Sequence, residues 1–288
     1  MILSSPRKLL ALKAVCDYYV LTRPQIQRIV GARNDRVMRA QLQELVAAGL
    51  LAKTRMQVVN VRAGAPAPVY YPTRTGAELV AEHWGEERYL QTTTKTPNWT
   101  HLLHWVAVSQ FHIELVAAVE HRPDVQLLAW FGEWDEANPA AATPQERFRI
   151  FTLIRERPRL VCAPDAAFIL GAGPHSKCYY VEIDRGTSGI QQIASSKSPG
   201  YAALAAGQLH RRLHETTSPT FTVLHISPNA GRRDLLRKAF ADKQAAELHR
   251  FAAFTDWTAE QALTDSIFHG CDDEPPQPLL RTGAGGER

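Results

Sequence analysis

Apolar positions in the first third of the chain recur at helical spacing. Residues 5–17 predict a short helix, with Leu9, Leu10, Leu12 and Ala14 on its apolar side. Thr22 has the position of an N-cap with Pro24 just inside, so a second helix runs to about Val30 and stops at Gly31. Asn34 or Asp35 opens a third helix, with Val37, Leu42, Leu45 and Val46 turned inward and Gly49 as its end. Two short apolar runs follow, Leu50–Arg55 and Val69–Thr73, joined by a loop containing Gly64, Pro66 and Pro68. They suit a pair of strands, after which a fourth helix is expected from Ala77 to about His83.

A polar stretch, Gln91–Pro97, separates this part from the rest. Pro97-Asn98 opens a long helix in which Leu102, Leu103, Val106, Val108, Phe111, Ile113, Leu115 and Val116 are apolar. Strands are then expected at Val125–Phe131, Leu160–Leu170 and Cys178–Asp184, with residues 135–158 irregular and a turn at Gly171–Pro174. A helix from Ser188 to His214, interrupted or recapped at Ser198-Pro199-Gly200, precedes a buried strand, Phe221–Ile226. A helix, Arg232–Lys243, and a short strand, Arg250–Phe254, complete the pattern. The reading is an α+β chain with domains at 1–90 and 97–258 and a disordered tail at 270–288, rich in Pro and Gly.

Charge sharpens the division. Residues 1–75 hold twelve Lys/Arg against three Asp/Glu, a net of +9, while the remainder nets −5. A basic module joined to a mildly acidic one implies a polyanionic partner for the first. Cys16, Cys162, Cys178 and Cys271 are scattered without a C-x-x-C pair, which fits a reducing cytoplasm rather than a disulfide or zinc framework. His101, His104 and His112 along the long helix and His225 in a buried strand are expected to pack rather than to ligate. No uninterrupted apolar run approaches the roughly 18–20 residues that span a bilayer, so no membrane is expected.

The chemistry concentrates in two segments, Ala163-Pro164-Asp165 and Tyr180 to Thr187. Side chains alternate along a strand, so Glu182 and Asp184 share one face while Val181 and Ile183 take the other. If the two runs pair as a hairpin, Asp165 joins them and three carboxylates converge. Such a cluster is costly unless a positive charge meets it, and a divalent cation is the usual one.

Helix, helix, helix, strand, basic loop, strand is the order of a winged helix-turn-helix, and "LVAAGLLAK" (45–53) resembles its recognition-helix end and first wing strand. The resemblance implies that the third helix enters a DNA major groove with Arg33, Asn34, Arg36 and Arg39 near its leading end. It likewise implies phosphate contacts from Lys53, Arg55 and Arg62 on the wing. The later elements resemble the restriction-endonuclease-like, PD-(D/E)XK, core with its mixed central sheet. With "PDAAF", "YYVEIDRGT" and the downstream pair Lys197 and Tyr201, the chain from about residue 5 to 255 resembles the replication-relaxation family of plasmids and integrative elements. Carried over from nucleases of that fold, Asp165 and Glu182 are the catalytic metal ligands, for Mg2+ or Mn2+. Asp184 stands where those enzymes have lysine and is a candidate third ligand. Lys197 then supplies the positive charge from the next helix, and Glu114 is a further candidate ligand. A homodimer on double-stranded DNA is the partner expectation.

These residues leave three functions open. The first is a non-catalytic DNA-binding protein of a mobile element, acting in replication, relaxation or its regulation. The second is a metal-dependent endonuclease or nickase, and the third a protein-binding adaptor.

Overall fold

The computed structural model describes residues 5–55, 68–133, 135–138, 140–213 and 215–280. The chain divides into two compact units, Met1–Ile113 and Glu114–Arg288. The boundary falls inside the helix Trp99–Glu120 rather than at the polar stretch 91–97.

In the first unit α1 (Pro6–Tyr18), β1 (Leu21–Thr22), α2 (Arg23–Ile29) and α3 (Asp35–Ala47) precede β2 (Leu51–Arg55), β3 (Pro68–Pro72) and α4 (Arg74–Trp84). Thr22 caps α2 in a reciprocal capping box with Gln25, and Gly31 takes the positive φ that lets the chain turn out of it. Strand β1 lies outside the expected elements. It pairs antiparallel with β3, which also pairs with β2, giving the order β1-β3-β2. The buried face of α3 is Met38, Leu42 and Leu45, at i, i+4 and i+7. Val37, expected inward, is 42 % exposed because it sits one residue off that stripe. Leu10 is likewise outside, at 47 %, while Ala11, Leu12, Ala14, Val15 and Cys16 form the inner side of α1.

Helix α5 (Trp99–Glu120) is long and apolar enough, by length and composition alone, to cross a membrane. The expectation from uninterrupted runs missed this, since scattered His and Gln break the runs without lowering the average much. Leu102, Val108, Phe111, Ile113, Leu115 and Ala118 along it are buried, as in the core helix of a folded domain.

The second unit is built on a mixed five-stranded sheet in the order β10-β9-β8-β7-β4. Its strands are β4 (Val125–Gly132), β7 (Ala166–Ala172), β8 (His175–Ile183), β9 (Phe221–Ser227) and β10 (His249–Ala253). Pairs β4–β7 and β7–β8 are antiparallel; β8–β9 and β9–β10 are parallel. The excursion at 135–158, expected to be irregular, contains α6 (Pro144–Arg147) and β5 (Thr152–Arg155). The expected single strand 160–170 is split into β6 (Leu160–Cys162) and β7, and β6 pairs with β5 in a separate two-stranded sheet. Pro164-Asp165 makes the break.

Helix α7 (Ile190–Ala206) runs through Pro199 without the expected interruption. Gly200 explains the local sequence. A Cβ there would lie 2.6 Å from the Val161 carbonyl oxygen, so only glycine lets α7 approach β6 this closely. Helices α8 (His210–Leu213) and α9 (Ala230–Phe240) follow, and α9 packs on α7, β9 and β10. Leu236, Phe240, Phe251 and Ala194 form that part of the core. The unit continues well past residue 258. Trp257, Ala262, Leu263 and Phe268 are buried. Gln277 exchanges backbone hydrogen bonds with Phe268, and the Leu280 N–H reaches the Leu263 carbonyl at 2.9 Å. Residues 270–280 are therefore structured, against the expectation of a disordered tail; 281–288 lie outside the described residues.

Candidate functional site

The expected hairpin forms, with Ala166 opposite Val181, and this register sets Asp165 beside the end of β8. The Asp165 N–H donates to the Val181 carbonyl at 3.0 Å. Asp165 Oδ2 accepts the Ile183 N–H at 2.6 Å. Glu182, one residue back and buried, is met from α7 on both oxygens. Tyr201 donates its hydroxyl to Oε1 at 2.6 Å, and Lys197 Nζ lies 2.7 Å from Oε2. Lys197 also donates to the Ala163 carbonyl at 3.0 Å. The four-residue spacing of Lys197 and Tyr201 puts both on one helical face, so one carboxylate can take both.

Burial pushes the Glu182 carboxyl up, with Lys197 pulling against that shift and Asp165 adding to it. Burial alone would discharge Lys197. Glu182 and Asp165 outweigh it and hold the ammonium above its usual range. The Tyr201 phenol is driven well up by burial and by the Glu182 carboxylate, so it stays a donor. Behind the site, His225 Nε2 and His249 Nδ1 are 2.8 Å apart between β9 and β10. Burial lowers both, His249 to about 3, so they form a neutral pair in which one ring donates to the other.

The remaining predicted ligands are held by other partners. Asp184 is bound in a fork by Arg232 of α9, at 2.7 and 3.1 Å, and its Oδ1 also takes the Gly186 N–H at 2.8 Å. Glu114 Oε2 accepts the Ala259 N–H at 3.1 Å. The fold thus brings together Asp165, Glu182 and Lys197 and ties Asp184 and Glu114 to other partners. Mg2+ and Mn2+ require oxygens free to coordinate. With both Glu182 oxygens held by Lys197 and Tyr201, and Asp184 forked onto Arg232, this donor set does not fit such an ion. Arg232 has no sequence signal, standing 48 residues from its partner.

In the first unit Arg33, Arg36 and Arg39 are exposed at the leading end and outer side of α3. Asn34 is the N-cap, its side-chain oxygen accepting the Val37 N–H at 3.1 Å. Asp35 spans two cations, with Arg23 Nε at 2.8 Å and Arg39 Nη2 at 3.4 Å. Lys53 and Arg55 are exposed at alternate positions of β2 and so share a face. Arg62 lies outside the described residues.

Together these features define a two-unit α+β protein whose second unit buries an acid–lysine–tyrosine cluster at the end of a mixed sheet. The chain belongs to the replication-relaxation family, whose model matches residues 12–219. No curated protein and no solved structure matches it. Membership points to a role in replication or relaxation of mobile elements.

Proposed function

We propose that this chain is a cytoplasmic DNA-binding protein of a plasmid or other mobile element, acting in replication, relaxation or its regulation. In this reading the first unit is a winged helix-turn-helix that docks α3 in a major groove as part of a homodimer. The second unit is a PD-(D/E)XK-like scaffold without catalysis. The carrying observation is the exposed cationic set on α3 and β2. Among the described residues Arg33 and Arg36 have no acidic partner, and Lys53 and Arg55 stand together on the adjoining strand. Solvated faces usually mix signs, whereas this one is basic and follows the element order α2–α3–β2–β3. The ion-paired state of Glu182 supports the scaffold role of the second unit.

Binding to duplex fragments of the host element, followed by fluorescence anisotropy across NaCl concentrations, tests the reading. Wild type is expected to bind with a steep salt dependence. Arg36→Ala is expected to weaken binding about tenfold or more if it reads a base edge. Unchanged affinity in both Arg33→Ala and Arg36→Ala would remove α3 from the interface. The enzymatic alternative has its own signature: Mg2+- or Mn2+-dependent strand breakage lost in Asp165→Ala or Glu182→Ala.

A further inference from the structure

The second unit carries 19 Lys/Arg against 22 Asp/Glu, yet one part of it is strongly basic. Arg149 leads into β5, Arg155 ends it, and the turn to β6 contributes Arg157 and Arg159, with Glu156 the one acid among them. All four arginines are exposed. Arg155 donates Nε to the Pro158 carbonyl at 3.1 Å, which orients it without neutralising it. Among the described residues none of the four has a carboxylate partner, in contrast to Arg147 next door, which holds Glu136 at 2.6 Å. Four like charges left unpaired in one hairpin repel one another, and an acidic ligand would relieve that repulsion.

The hairpin is also firmly seated. Ile150, Thr152 and Cys162 are buried, and Ile150 and Cys162 share a core cluster with Tyr201, Leu204 and Tyr180. Strand β6 is the one that approaches α7 at Gly200, next to Tyr201. The strands that carry these arginines are therefore anchored on the helix that supplies Lys197 and Tyr201. We infer that the β5–β6 hairpin is a second nucleic-acid contact, in which Arg149, Arg155, Arg157 and Arg159 bind the phosphate backbone of duplex DNA. The turn from 155 to 159 exposes charge and a proline but no aromatic or aliphatic anchor, which is unlike the core of a protein–protein interface. Phosphate contact by unanchored arginines is how proteins fix themselves on a duplex irrespective of sequence.

This inference stands apart from the α3 reading, and one experiment separates the two. The full chain is titrated with a duplex at several NaCl concentrations as wild type, as R155A/R157A/R159A, as R155K/R157K/R159K and as R33A/R36A. Losing three phosphate contacts is expected to lower the salt slope by about 2 to 3 and the affinity by about tenfold or more at fixed salt. The lysine triple should keep most of the slope. An alanine triple with the wild-type slope overturns the hairpin contact, whatever R33A/R36A does. Loss in the alanine triple with no effect of R33A/R36A upholds it and overturns the α3 reading. A wild type that binds no duplex overturns both. An alanine triple that keeps DNA binding but loses retention on poly-glutamate overturns the nucleic-acid assignment in favour of an acidic protein.

Discussion

Lys197→Met removes a charge while keeping most of the side-chain stem, and its consequence follows from what surrounds the ammonium. Lys197 Nζ stands 2.7 Å from Glu182 Oε2, the Glu182 side chain being 8 % exposed and that of Lys197 32 %. At an effective dielectric constant of about 20 the bare attraction at that distance is roughly 6 kcal/mol, largely offset by the desolvation of both groups. Removing one partner leaves the other buried and uncompensated, which generally costs about 3 to 5 kcal/mol. Water reaches the partly exposed Lys197 side, so the low end, about 3 kcal/mol, applies. The loss must depend on pH. Burial already raises Glu182 above its usual value, and without Lys197 it rises further. A carboxyl raised in the folded state binds more protons there than when unfolded, so stability falls as pH climbs through the folded value. The deficit of K197M should therefore be larger at pH 8 than at pH 5.5. Urea unfolding of wild type, K197M, E182Q and the double variant measures it, with an expected coupling of at least about 1 kcal/mol between the two positions. A K197M cost below about 0.5 kcal/mol, equal at both pH values, would mean the pair behaves as an exposed surface bridge and would refute the argument.

Two further outcomes come from the same unit. Arg232→Ala strips the fork from Asp184, whose side chain is 7 % exposed, and should lower stability by about 2 to 3 kcal/mol; Arg232→Lys should recover only part because a single ammonium cannot reproduce the fork. Thermal unfolding of both variants reads this, and equal melting temperatures would show that the fork contributes nothing. For the buried histidine pair the sign is opposite to that of Glu182. Their pKa values are depressed on folding, so the stability they confer is present above about 6.5 and is lost as pH falls towards 3. His249→Leu should therefore flatten the wild-type loss of stability between pH 7 and pH 5 by about 1 to 2 kcal/mol, measured by chemical denaturation.

Much of the architecture was legible because strong local signals and tertiary demands agreed. Thr22, Gly31, Asn34 and Gly49 mark the ends of α2 and α3 by capping and positive φ, both properties of single residues. The alternation around Glu182 and the turn at Gly171–Pro174 gave the β7–β8 hairpin. What escaped depended on remote partners. Strand β1 is two residues long and exists only because β3 lies beside it. Strand β5, only four residues long, was hidden in a Pro- and Ala-containing segment that reads as irregular, and its pairing to β6 contains a register shift. Alternation places Asp184 on the Glu182 face but does not show what meets it, and its partner, Arg232, comes from another helix. Pro199 read as a helix break because its missing N–H is a local cost, while the close approach at Gly200 that the helix permits is not local.

Asp165, Glu182 and Asp184 bring three negative charges to the end of β8, and Lys197 and Arg232 return two positive ones from two different helices. The remaining charge is spread by backbone N–H groups, that of Ile183 on Asp165 and that of Gly186 on Asp184. Each acid therefore fastens an element of the fold: Glu182 holds α7 to the sheet, Asp184 holds α9, and Asp165 fixes the Pro164 break that sends β6 away from β7. Two cations against three carboxylates leave a net charge of about −1, which repels a polyanion far less than three free carboxylates would. That is the electrostatic condition under which the proposed phosphate contacts of the β5–β6 hairpin, whose strand β6 packs on α7, would meet less opposition from these acids.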